Sequence, residues 1–334
     1  MEKKMICFGA RDYEKPYFDK LGKQYGYEFV LRPEYLNNDC WELAKGYPIV
    51  MIRGGCHVDK EHMRLLADAG LKYYLTRTAG FSHIDVEACK ELGIETAYVP
   101  GYSPNAISEL ALTLAMMLLR HAALATSEAK AGRFKVTNAM FSREVRGCTV
   151  GILGCGRIGC TTAELFKGLG AKVIGYDVFV SDRAKATMEM KPLEEALKES
   201  DILICHMAYV KGQNDNFIDE KKIALMKEGA ILVNVARGEV LDTPAVLSAV
   251  KSGKLGGVGL DVIDHESTLF NKVFDPAHMD TPLHQELIDL YPRVLLTPHI
   301  GSATDLALVD MIEITLKNMD EYLATGHCHN SLIK

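Results

Sequence analysis

The sequence predicts an α/β fold of two doubly wound parallel-sheet domains, because short apolar strands alternate with helical patterns along most of the chain. The 334 residues are enough for two domains of ordinary size. A break that contains two prolines and a glycine, residues 100–104, interrupts the alternation, which then resumes. These three observations predict two domains of the same class that meet near residue 101.

The first hundred residues predict one small parallel sheet with helices on both faces. Five strands are expected, at 5–8, 27–31, 49–52, 73–76 and 95–99. The helical patterns lie between them, at about 13–25, 60–69 and 85–92. Strands that alternate with helices in this way pair in parallel.

The second series begins with a helix at about 104–121, which is apolar almost all round and is therefore expected to be buried between two domains. Ser103 can cap this helix and Pro104 suits its first position. A polar connector, 126–146, follows. The later strands are expected at 150–153, 173–177, 202–205, 231–235, 257–262 and 294–296, and the later helices at about 163–169, 220–226 and 243–251. A last helix, about 304–324, has an apolar face and is predicted to return to the first domain.

A strand–turn–helix–strand unit at 148–177 carries the most informative motif. An apolar strand runs into Gly154-x-Gly156-x-x-Gly159, a helical pattern follows, and a second strand ends at Asp177. Gly154 permits a tight turn, Gly156 leaves room for a pyrophosphate beside the backbone, and Gly159 lets the helix pack closely on the strand. The unpaired N–H groups at the helix start then face the phosphates. The unit predicts a dinucleotide-binding site.

The acidic residue at the end of this unit predicts which dinucleotide binds. Asp177 lies 18 residues after Gly159, near the distance at which a carboxylate binds the ribose hydroxyls of adenosine. A carboxylate there repels a 2′-phosphate, so we expect NAD rather than NADP. Arg183 is a nearby cation that could serve a phosphate instead.

Composition and charge argue against several classes of protein. The net charge of −6 leaves no basic footprint for nucleic acid. The apolar N-terminal run is too short for a signal peptide, and the run 110–119 is too short to span a membrane. The nine cysteines are scattered without a CxxC pair, which indicates reduced thiols in the cytoplasm. His327-Cys328-His329 could bind a metal, but we expect an accidental site and no functional metal.

Four polar residues lie at or after the carboxyl ends of three successive predicted strands, namely Arg237, Asp261, Glu266 and His299. Because ligands of open parallel sheets bind beyond the carboxyl ends of the strands, these residues are candidates for one site. An arginine can bind a carboxylate in bidentate fashion, an imidazole can donate a proton to a forming alkoxide, and a neighbouring carboxylate favours the charged imidazole. Such a set suits a dehydrogenase that acts on a 2-oxo acid. Taken singly, each residue could equally be a loop charge or a satisfied strand-end histidine.

The motifs around these residues resemble those of the D-isomer-specific 2-hydroxyacid dehydrogenases, in the D-lactate, D-2-hydroxyisocaproate and (R)-2-hydroxyglutarate branch. The similarity runs end to end and is carried by Tyr-Ser-Pro-Asn-Ala-Ile-Ser-Glu-Leu-Ala (102–111), Thr-Val-Gly-Ile-Leu-Gly-Cys-Gly-Arg-Ile-Gly (149–159), Val-Asn-Val-Ala-Arg-Gly (233–238), Asp-Thr-Pro-Ala-Val-Leu (242–247), Leu-Asp-Val-Ile-Asp-His-Glu (260–266) and Leu-Thr-Pro-His-Ile-Gly-Ser (296–302). The resemblance implies a Rossmann-type NAD-binding domain, 102–299, inserted in a smaller flavodoxin-like substrate domain, 1–101 plus 300–334.

The resemblance also implies roles for individual residues. Arg237, Glu266 and His299 would form the catalytic trio, and the backbone N–H groups of Ala79 and Gly80 would hold the substrate carboxylate. The reaction would be reversible hydride transfer between NADH and a 2-oxo acid, with an (R)-2-hydroxy acid as product.

Cofactor contacts are implied by the same resemblance. Asp261 would contact the carboxamide side of the nicotinamide. The other contact positions are Gly154, Gly156, Arg157, Ile158, Gly159, Asp177, His206, Asn214, Val235 and Ala236. The chain departs from the family after His206, where Met-Ala stands in place of the Val-Pro that members often carry.

The loop after the strand 49–52 bears on the substrate. It begins Arg53-Gly, and the chain is similar to the (R)-2-hydroxyglutarate enzymes in this respect; the resemblance places this loop and Tyr102 at the pocket. A second cation would pair a distal carboxylate, whereas facing an apolar substrate it would be buried unpaired at a cost. We therefore predict that Arg53 selects 2-oxoglutarate. Alternatively, Arg53 pairs with a protein carboxylate and the chain is a D-lactate, (R)-2-hydroxyisocaproate or phenyllactate dehydrogenase.

The same resemblance implies the partners of the protein. The resemblance implies a homodimer formed through the NAD-binding domains, with a small 2-oxo or 2-hydroxy acid as substrate. A function of another class is an NAD-sensing, corepressor-like binding protein, which the complete Arg, Glu and His set disfavours.

Overall fold

The strands of the chain form two separate parallel sheets. A computed structural model describes residues 3–333, and it divides the chain into two units, Met1–Ser103 with Ala303–Lys334 and Pro104–Ser302. Both units have helices packed on a parallel sheet, so the predicted α/β class is confirmed.

The strands are short, with two to six residues each. They are β1 (Lys4–Phe8), β2 (Glu28–Arg32), β3 (Ile49–Ile52), β4 (Tyr73–Thr76), β5 (Thr149–Leu153), β6 (Lys172–Tyr176), β7 (Glu189–Met190), β8 (Ile202–Cys205), β9 (Ala230–Asn234), β10 (Leu255–Leu260) and β11 (Val294–Leu296).

The α-helices lie between the strands and at the end of the chain. They are α1 (Lys15–Tyr25), α2 (Lys60–Asp68), α3 (Val86–Glu91), α4 (Pro104–Leu119), α5 (Ala122–Lys130), α6 (Arg157–Gly168), α7 (Asp182–Thr187), α8 (Leu193–Glu199), α9 (Glu220–Leu225), α10 (Thr243–Ser252), α11 (Pro282–Asp289) and α12 (Asp305–Thr325).

The first unit has a four-stranded sheet in the order β2-β1-β3-β4, with every neighbouring pair parallel. The strands β1 and β3 are fully buried apart from Lys4, because helices cover both faces. The helix α12 packs on one face beside α1, where Ile312 and Met319 join Phe18 and Met5 in one core. The segments that carry Gly9, Arg53 and Arg77 therefore leave the same edge of this sheet.

The second unit has a seven-stranded parallel sheet in the order β11-β10-β9-β8-β5-β6-β7. The order reverses at β5, so the turn from β5 to α6 lies where ligands of doubly wound sheets bind. The apolar helix α4 packs on β10 at two glycines. A Cβ on Gly257 would lie 2.8 Å from Leu118, and a Cβ on Gly259 would lie 2.9 Å from Leu114. No single helix within residues 3–333 is long and apolar enough to cross a membrane, and α4 and α5 qualify only as a pair bent by 66°.

Several predicted elements need correction. The segment 95–99 is not a strand, although two backbone N–H groups of β4 donate to the carbonyls of Glu95 and Ala97. The polar connector, predicted at 126–146, is helical as far as Lys130. The elements β7, α7, α8 and α11 were not predicted, because they are short and largely polar.

Candidate active site

Three of the predicted site residues leave neighbouring strands at one edge of the second sheet. Arg237 follows β9, Glu266 follows β10 and His299 follows β11, and these strands are adjacent in the order β9-β10-β11. Because parallel strands end at the same edge, the three segments begin side by side.

His299 and Glu266 form a hydrogen-bonded pair. Nδ1 of the imidazole lies 2.9 Å from Oε1 of the carboxylate, and the two side chains are 44% and 39% exposed. The carboxylate accepts the Nδ1 proton, so Nε2 is left to face a substrate. The backbone of His299 has a φ of +54°, a left-handed conformation that only a few per cent of residues other than glycine adopt.

Asp261 holds the loop in which His299 lies. Its Oδ1 accepts hydrogen bonds from the Thr297 hydroxyl at 2.6 Å and the Ile300 N–H at 2.8 Å, and its Oδ2 accepts the Gly301 N–H at 2.8 Å. Asp261 is 2% exposed, and burial raises the pKa of its carboxyl group while these hydrogen bonds lower it. The predicted contact of Asp261 with the nicotinamide remains a prediction, and its evident structural role is to shape this loop.

Arg237 leaves β9 through a turn fixed by two neighbours. The buried Asn234 donates from Nδ2 to the Arg237 carbonyl at 2.8 Å and accepts the Ala236 N–H at 3.0 Å. A Cβ at Gly238 would lie 1.8 Å from the Ile263 carbonyl carbon, so only glycine fits there. The Arg237 side chain is exposed and its Nη1 donates to the Ala236 carbonyl at 2.6 Å. Its guanidinium is therefore accessible to an anion.

The glycine turn has the predicted shape. Gly154 has a φ of +92°, and a Cβ on it would lie 2.5 Å from the Met207 N atom. A Cβ on Gly159 would lie 2.1 Å from the Gly154 carbonyl oxygen, whereas one on Gly156 would meet no atom within 4 Å. Gly156 precedes α6 and has no side-chain cap, so the first N–H groups of this helix face open space. This turn fits the pyrophosphate of a dinucleotide.

Asp177 lies beside this turn at the end of β6. Its Oδ2 accepts the Cys155 N–H at 2.6 Å and its Oδ1 accepts the Phe179 N–H at 3.0 Å. Arg183, which could have served a 2′-phosphate, instead donates to Glu164 at 3.2 Å. The carboxylate position and this ion pair fit NAD.

The remaining predicted cofactor contacts lie around the same edge. His206 follows β8 and its Nε2 lies 2.8 Å from the Thr162 hydroxyl on α6, while burial lowers the pKa of His206 to about 3. Asn214 uses both groups of its amide within its own loop, bonding to the Ala208 carbonyl and the Val210 N–H at 2.7 Å each. The others occupy the first turn of α6 or the residues after β9, namely Arg157, Ile158, Val235 and Ala236. Their cofactor contacts stay predictions.

The first unit presents a pair of unpaired backbone amides. Among residues 3–333, neither the Ala79 N–H nor the Gly80 N–H has a hydrogen-bond partner, and both residues are half-buried. The Thr78 hydroxyl donates to the Gly80 carbonyl at 2.7 Å and so tightens the turn. Adjacent unpaired N–H groups of this kind can bind a carboxylate. Tyr102, another predicted pocket residue of this unit, is half-buried.

Arg53 follows β3 and shares a carboxylate with another arginine. Its Nη1 lies 3.5 Å from Oε1 of Glu14 and 3.5 Å from the Gly9 carbonyl, and its side chain is 27% exposed. Arg77 binds the same carboxylate through two shorter contacts, of 3.1 Å and 2.9 Å. The contact with Glu14 is the alternative role that the sequence left open for Arg53, but it is long.

The tail does not bring metal ligands together. Cys328 is 8% exposed and packs in the core that contains Tyr322, while the backbone N–H of His329 donates to Glu321. Within residues 3–333 there is no group of three or more histidine, cysteine, aspartate or glutamate side chains that could hold a metal ion.

Sequence reasoning missed four residues that support the site. Asn234 and Gly238 shape the turn of Arg237, and Glu14 and Arg77 form a buried pair next to Arg53. Asn234 is the last residue of the buried strand β9, and a polar residue at the end of an apolar run is the signal in the sequence that marks it. Nothing local in the sequence marks Glu14, because its partner lies 63 residues away.

Comparison with known proteins gives a consistent result. Residues 112–301 match the family model for the D-isomer specific 2-hydroxyacid dehydrogenase NAD binding domain. An aromatic 2-oxoacid reductase of Clostridium sporogenes is 37% identical over 333 residues, 99% of each chain. A D-2-hydroxyacid dehydrogenase (NAD(+)) of Clostridioides difficile is 34% identical over 98% of this chain and 99% of its own. The structure of a D-lactate dehydrogenase of Treponema pallidum matches with a TM-score of 0.90 and 33% identity, over 99% of this chain and 100% of that one.

Proposed function

The chain belongs to the D-isomer specific 2-hydroxyacid dehydrogenase family and is an NAD-dependent oxidoreductase, and from this premise we propose that it reduces 2-oxoglutarate to (R)-2-hydroxyglutarate. The observation that carries the substrate proposal is the partly exposed, incompletely neutralised Arg53. The (R) configuration is taken from the family.

The mechanism assigns one task to each group. Bound NADH supplies a hydride to C2 of the 2-oxo acid. The Arg237 guanidinium binds and polarises the substrate, and the unpaired N–H groups of Ala79 and Gly80 bind its C1 carboxylate. His299 donates a proton from Nε2 to the forming alkoxide. Glu266, bonded to Nδ1 at 2.9 Å, orients the imidazole and stabilises its protonated form.

The charges around Arg53 support a dicarboxylate. Glu14 is bound by Arg77 through both oxygens, so one carboxylate serves two guanidinium groups. Arg53 makes only the longer contact, and about a quarter of its side chain is exposed (27%). An excess positive charge therefore lies at the edge of the first sheet, where it can pair the distal carboxylate of 2-oxoglutarate.

A second candidate is a 2-oxo acid with an apolar side chain. Two observations favour it: the contact of Arg53 with Glu14, and the similarity to the Clostridium sporogenes relative, an aromatic 2-oxoacid reductase. If Glu14 neutralises Arg53 fully, an apolar substrate does not face an unpaired charge.

Steady-state NADH oxidation separates the candidates. We expect kcat/KM for 2-oxoglutarate to exceed that for 2-oxoisocaproate by at least a hundredfold, equivalent to about 2.7 kcal/mol. Arg53→Leu should remove this preference, whereas Arg64→Leu, which alters an exposed arginine on α2, should keep it. A wild-type preference for 2-oxoisocaproate or phenylpyruvate, unaffected by Arg53→Leu, would favour the second candidate.

We further propose that the chain forms a homodimer through its NAD-binding unit. The segment 131–146, between α5 and β5, exposes Phe134, Val136 and Phe141 with 82%, 82% and 86% of their surface accessible. Exposed apolar residues this close together favour contact with a second copy. We also propose that the protein is located in the cytoplasm, which the nine free thiols within residues 3–333 support.

The oligomeric state can be measured by sedimentation or light scattering. The triple variant Phe134→Ser, Val136→Ser and Phe141→Ser should shift a dimer towards the monomer. Val273→Ser, which alters a fully exposed valine outside this segment, should leave the dimer intact. A monomeric wild-type protein would contradict the proposal.

A further inference from the structure

A buried ion pair lies directly before the loop that contains the unpaired amides of the first unit. Arg77 is 1% exposed and Glu14 is 2% exposed. The guanidinium binds both carboxylate oxygens, at 3.1 Å and 2.9 Å, and donates to the Gly9 carbonyl at 3.1 Å. The Phe18 ring lies 5.5 Å from the guanidinium carbon. The contacts therefore fix the Arg77 side chain from several directions.

Efficient packing of the interior around Glu14 and Arg77 does not require a pair of charged residues. Two charges lose their hydration on burial, and apolar residues of similar size often give a fold that is as stable. A planar, bidentate guanidinium fixes geometry more tightly than an apolar side chain does. The charge pair thus points to a requirement for precise backbone placement.

The backbone that the pair fixes leads into the carboxylate-binding turn. Arg77 is the residue after β4, and its own N–H donates to the Ile52 carbonyl at 3.0 Å. The next residue, Thr78, accepts the Val99 N–H at its carbonyl and closes the turn by donating to the Gly80 carbonyl. The Ala79 and Gly80 N–H groups are thereby held in one orientation.

We propose that Glu14 and Arg77 are positioning residues, which hold the Ala79–Gly80 amides in register with the C1 carboxylate of the substrate. The proposal rests on the assignment of these amides under the proposed function. The role of the Glu14–Arg77 pair differs from the role of Arg53 in a way that substrate kinetics can measure. The C1 carboxylate is common to every 2-oxo acid, so loss of the pair weakens all substrates alike, whereas loss of Arg53 weakens only a dicarboxylate.

Three variants of the full chain test the proposal. Arg77→Lys keeps the charge but loses the bidentate geometry, and the double variant Glu14→Gln with Arg77→Met removes both charges together. For Arg77→Lys, which keeps Glu14 beside Arg53, we expect KM to rise at least tenfold for 2-oxoglutarate and for 2-oxoisocaproate alike. For the double variant, which also removes the Glu14 charge from Arg53, we expect KM to rise at least tenfold for 2-oxoisocaproate. The dissociation constant of NADH, measured by fluorescence, should stay within about twofold, and the thermal midpoint of the double variant should remain close to the wild-type value.

The third variant is a matched control. Lys3 and Asp320 form an ion pair in the same unit, at 2.6 Å and at the amino end of β1, the opposite end from Gly9. The double variant Lys3→Met with Asp320→Asn should leave every KM unchanged.

The outcomes distinguish a failure of the positioning role from a failure of the proposed function. Folded variants of Arg77 and Glu14 with wild-type KM values in an active background would overturn the positioning role and leave the proposed function intact. If the double variant does not fold, Arg77→Lys decides the question by the same criterion. A wild-type protein that reduces no 2-oxo acid would overturn both.

Discussion

His299 has a left-handed backbone conformation and a side chain that is 44% exposed to solvent. Its φ of +54° carries a conformational cost of about 1–3 kcal/mol, which the surrounding contacts must offset. Two carbonyls accept its N–H, those of Asp261 and Thr297, both at 2.9 Å. The left-handed backbone conformation of His299 thus coincides with the hydrogen bond between its Nδ1 and Glu266.

Gly238 offers a test of how the Arg237 turn is built. Gly238→Ala would place a Cβ 1.8 Å from the Ile263 carbonyl carbon, so one of the two segments must move. We expect kcat/KM to fall at least tenfold and thermal stability to drop. Gly147→Ala is the control, since a Cβ there meets no atom within 4 Å. Equal activity of the two variants would show that the turn does not depend on this close approach.

At this scale the sequence indicates the candidate catalytic residues but not the residues that support them. Arg237, Glu266 and His299 can be identified because each follows an apolar strand. The partners that hold them, such as Asn234, are buried polar residues whose role depends on the geometry of the turn. The contact of Arg53 with Glu14 could not be predicted either, because contacts between residues far apart in the sequence leave no local pattern.

At the level of the element, the segment between β11 and α12 is the part of the second unit that presents the imidazole. Its backbone N–H groups at Ile300 and Gly301 converge on the buried Asp261 carboxylate, and so does the Thr297 hydroxyl. One carboxylate thus replaces the regular hydrogen bonding that this loop lacks.

Asp261→Asn tests this arrangement. An amide can accept on one side only, so one of the three donors loses its partner and the loop shifts. We expect kcat to fall about tenfold or more with little change in overall fold. Asp242→Asn serves as the control, because Asp242 caps α10 by accepting the Ala245 N–H at 3.1 Å. Asparagine caps a helix about as well as aspartate does, so the control should keep both its stability and its kcat. A wild-type kcat for Asp261→Asn as well would contradict the loop role.

Strong periodicity made most elements predictable. The strands β3, β4, β8 and β11 have the bounds expected from their apolar runs. The short helices α7 and α8 are rich in charged residues, and their packing on the sheet supplies order that propensity alone does not. The segment 95–99 is apolar enough for a strand, but it forms only an isolated bridge with β4 at Glu95. Its other bridge, at Ala97, pairs with Ser331 near the end of the chain.

At the level of the whole molecule, two neutral histidines link stability to pH. Burial lowers the pKa of His206 to about 3 and that of His83 to about 4, whereas the unfolded value is 6.5. Between these values the unfolded chain binds a proton that the folded chain does not. The contribution of these two histidines to the free energy of unfolding is therefore complete above pH 6.5. It decreases as the pH falls, by up to about 1.4 kcal/mol per pH unit for each histidine.

His206→Gln should reduce this dependence. The glutamine can keep the hydrogen bond to the Thr162 hydroxyl but cannot take up a proton. We expect a smaller loss of unfolding free energy between pH 6.5 and pH 5 in urea titrations of the variant than in those of the wild type. An unchanged slope would mean that His206 does not titrate differently in the folded and unfolded states.

The central claim is that His299 donates the proton during NADH-dependent reduction of a 2-oxo acid, and one comparison tests it most directly. Wild-type and His299→Gln proteins are assayed at saturating NADH with 2-oxoglutarate and 2-oxoisocaproate, and NADH binding is measured separately. We predict that kcat of the variant falls by about 10²–10⁴, while the dissociation constant of NADH changes by no more than about twofold. A variant with wild-type kcat would contradict the account.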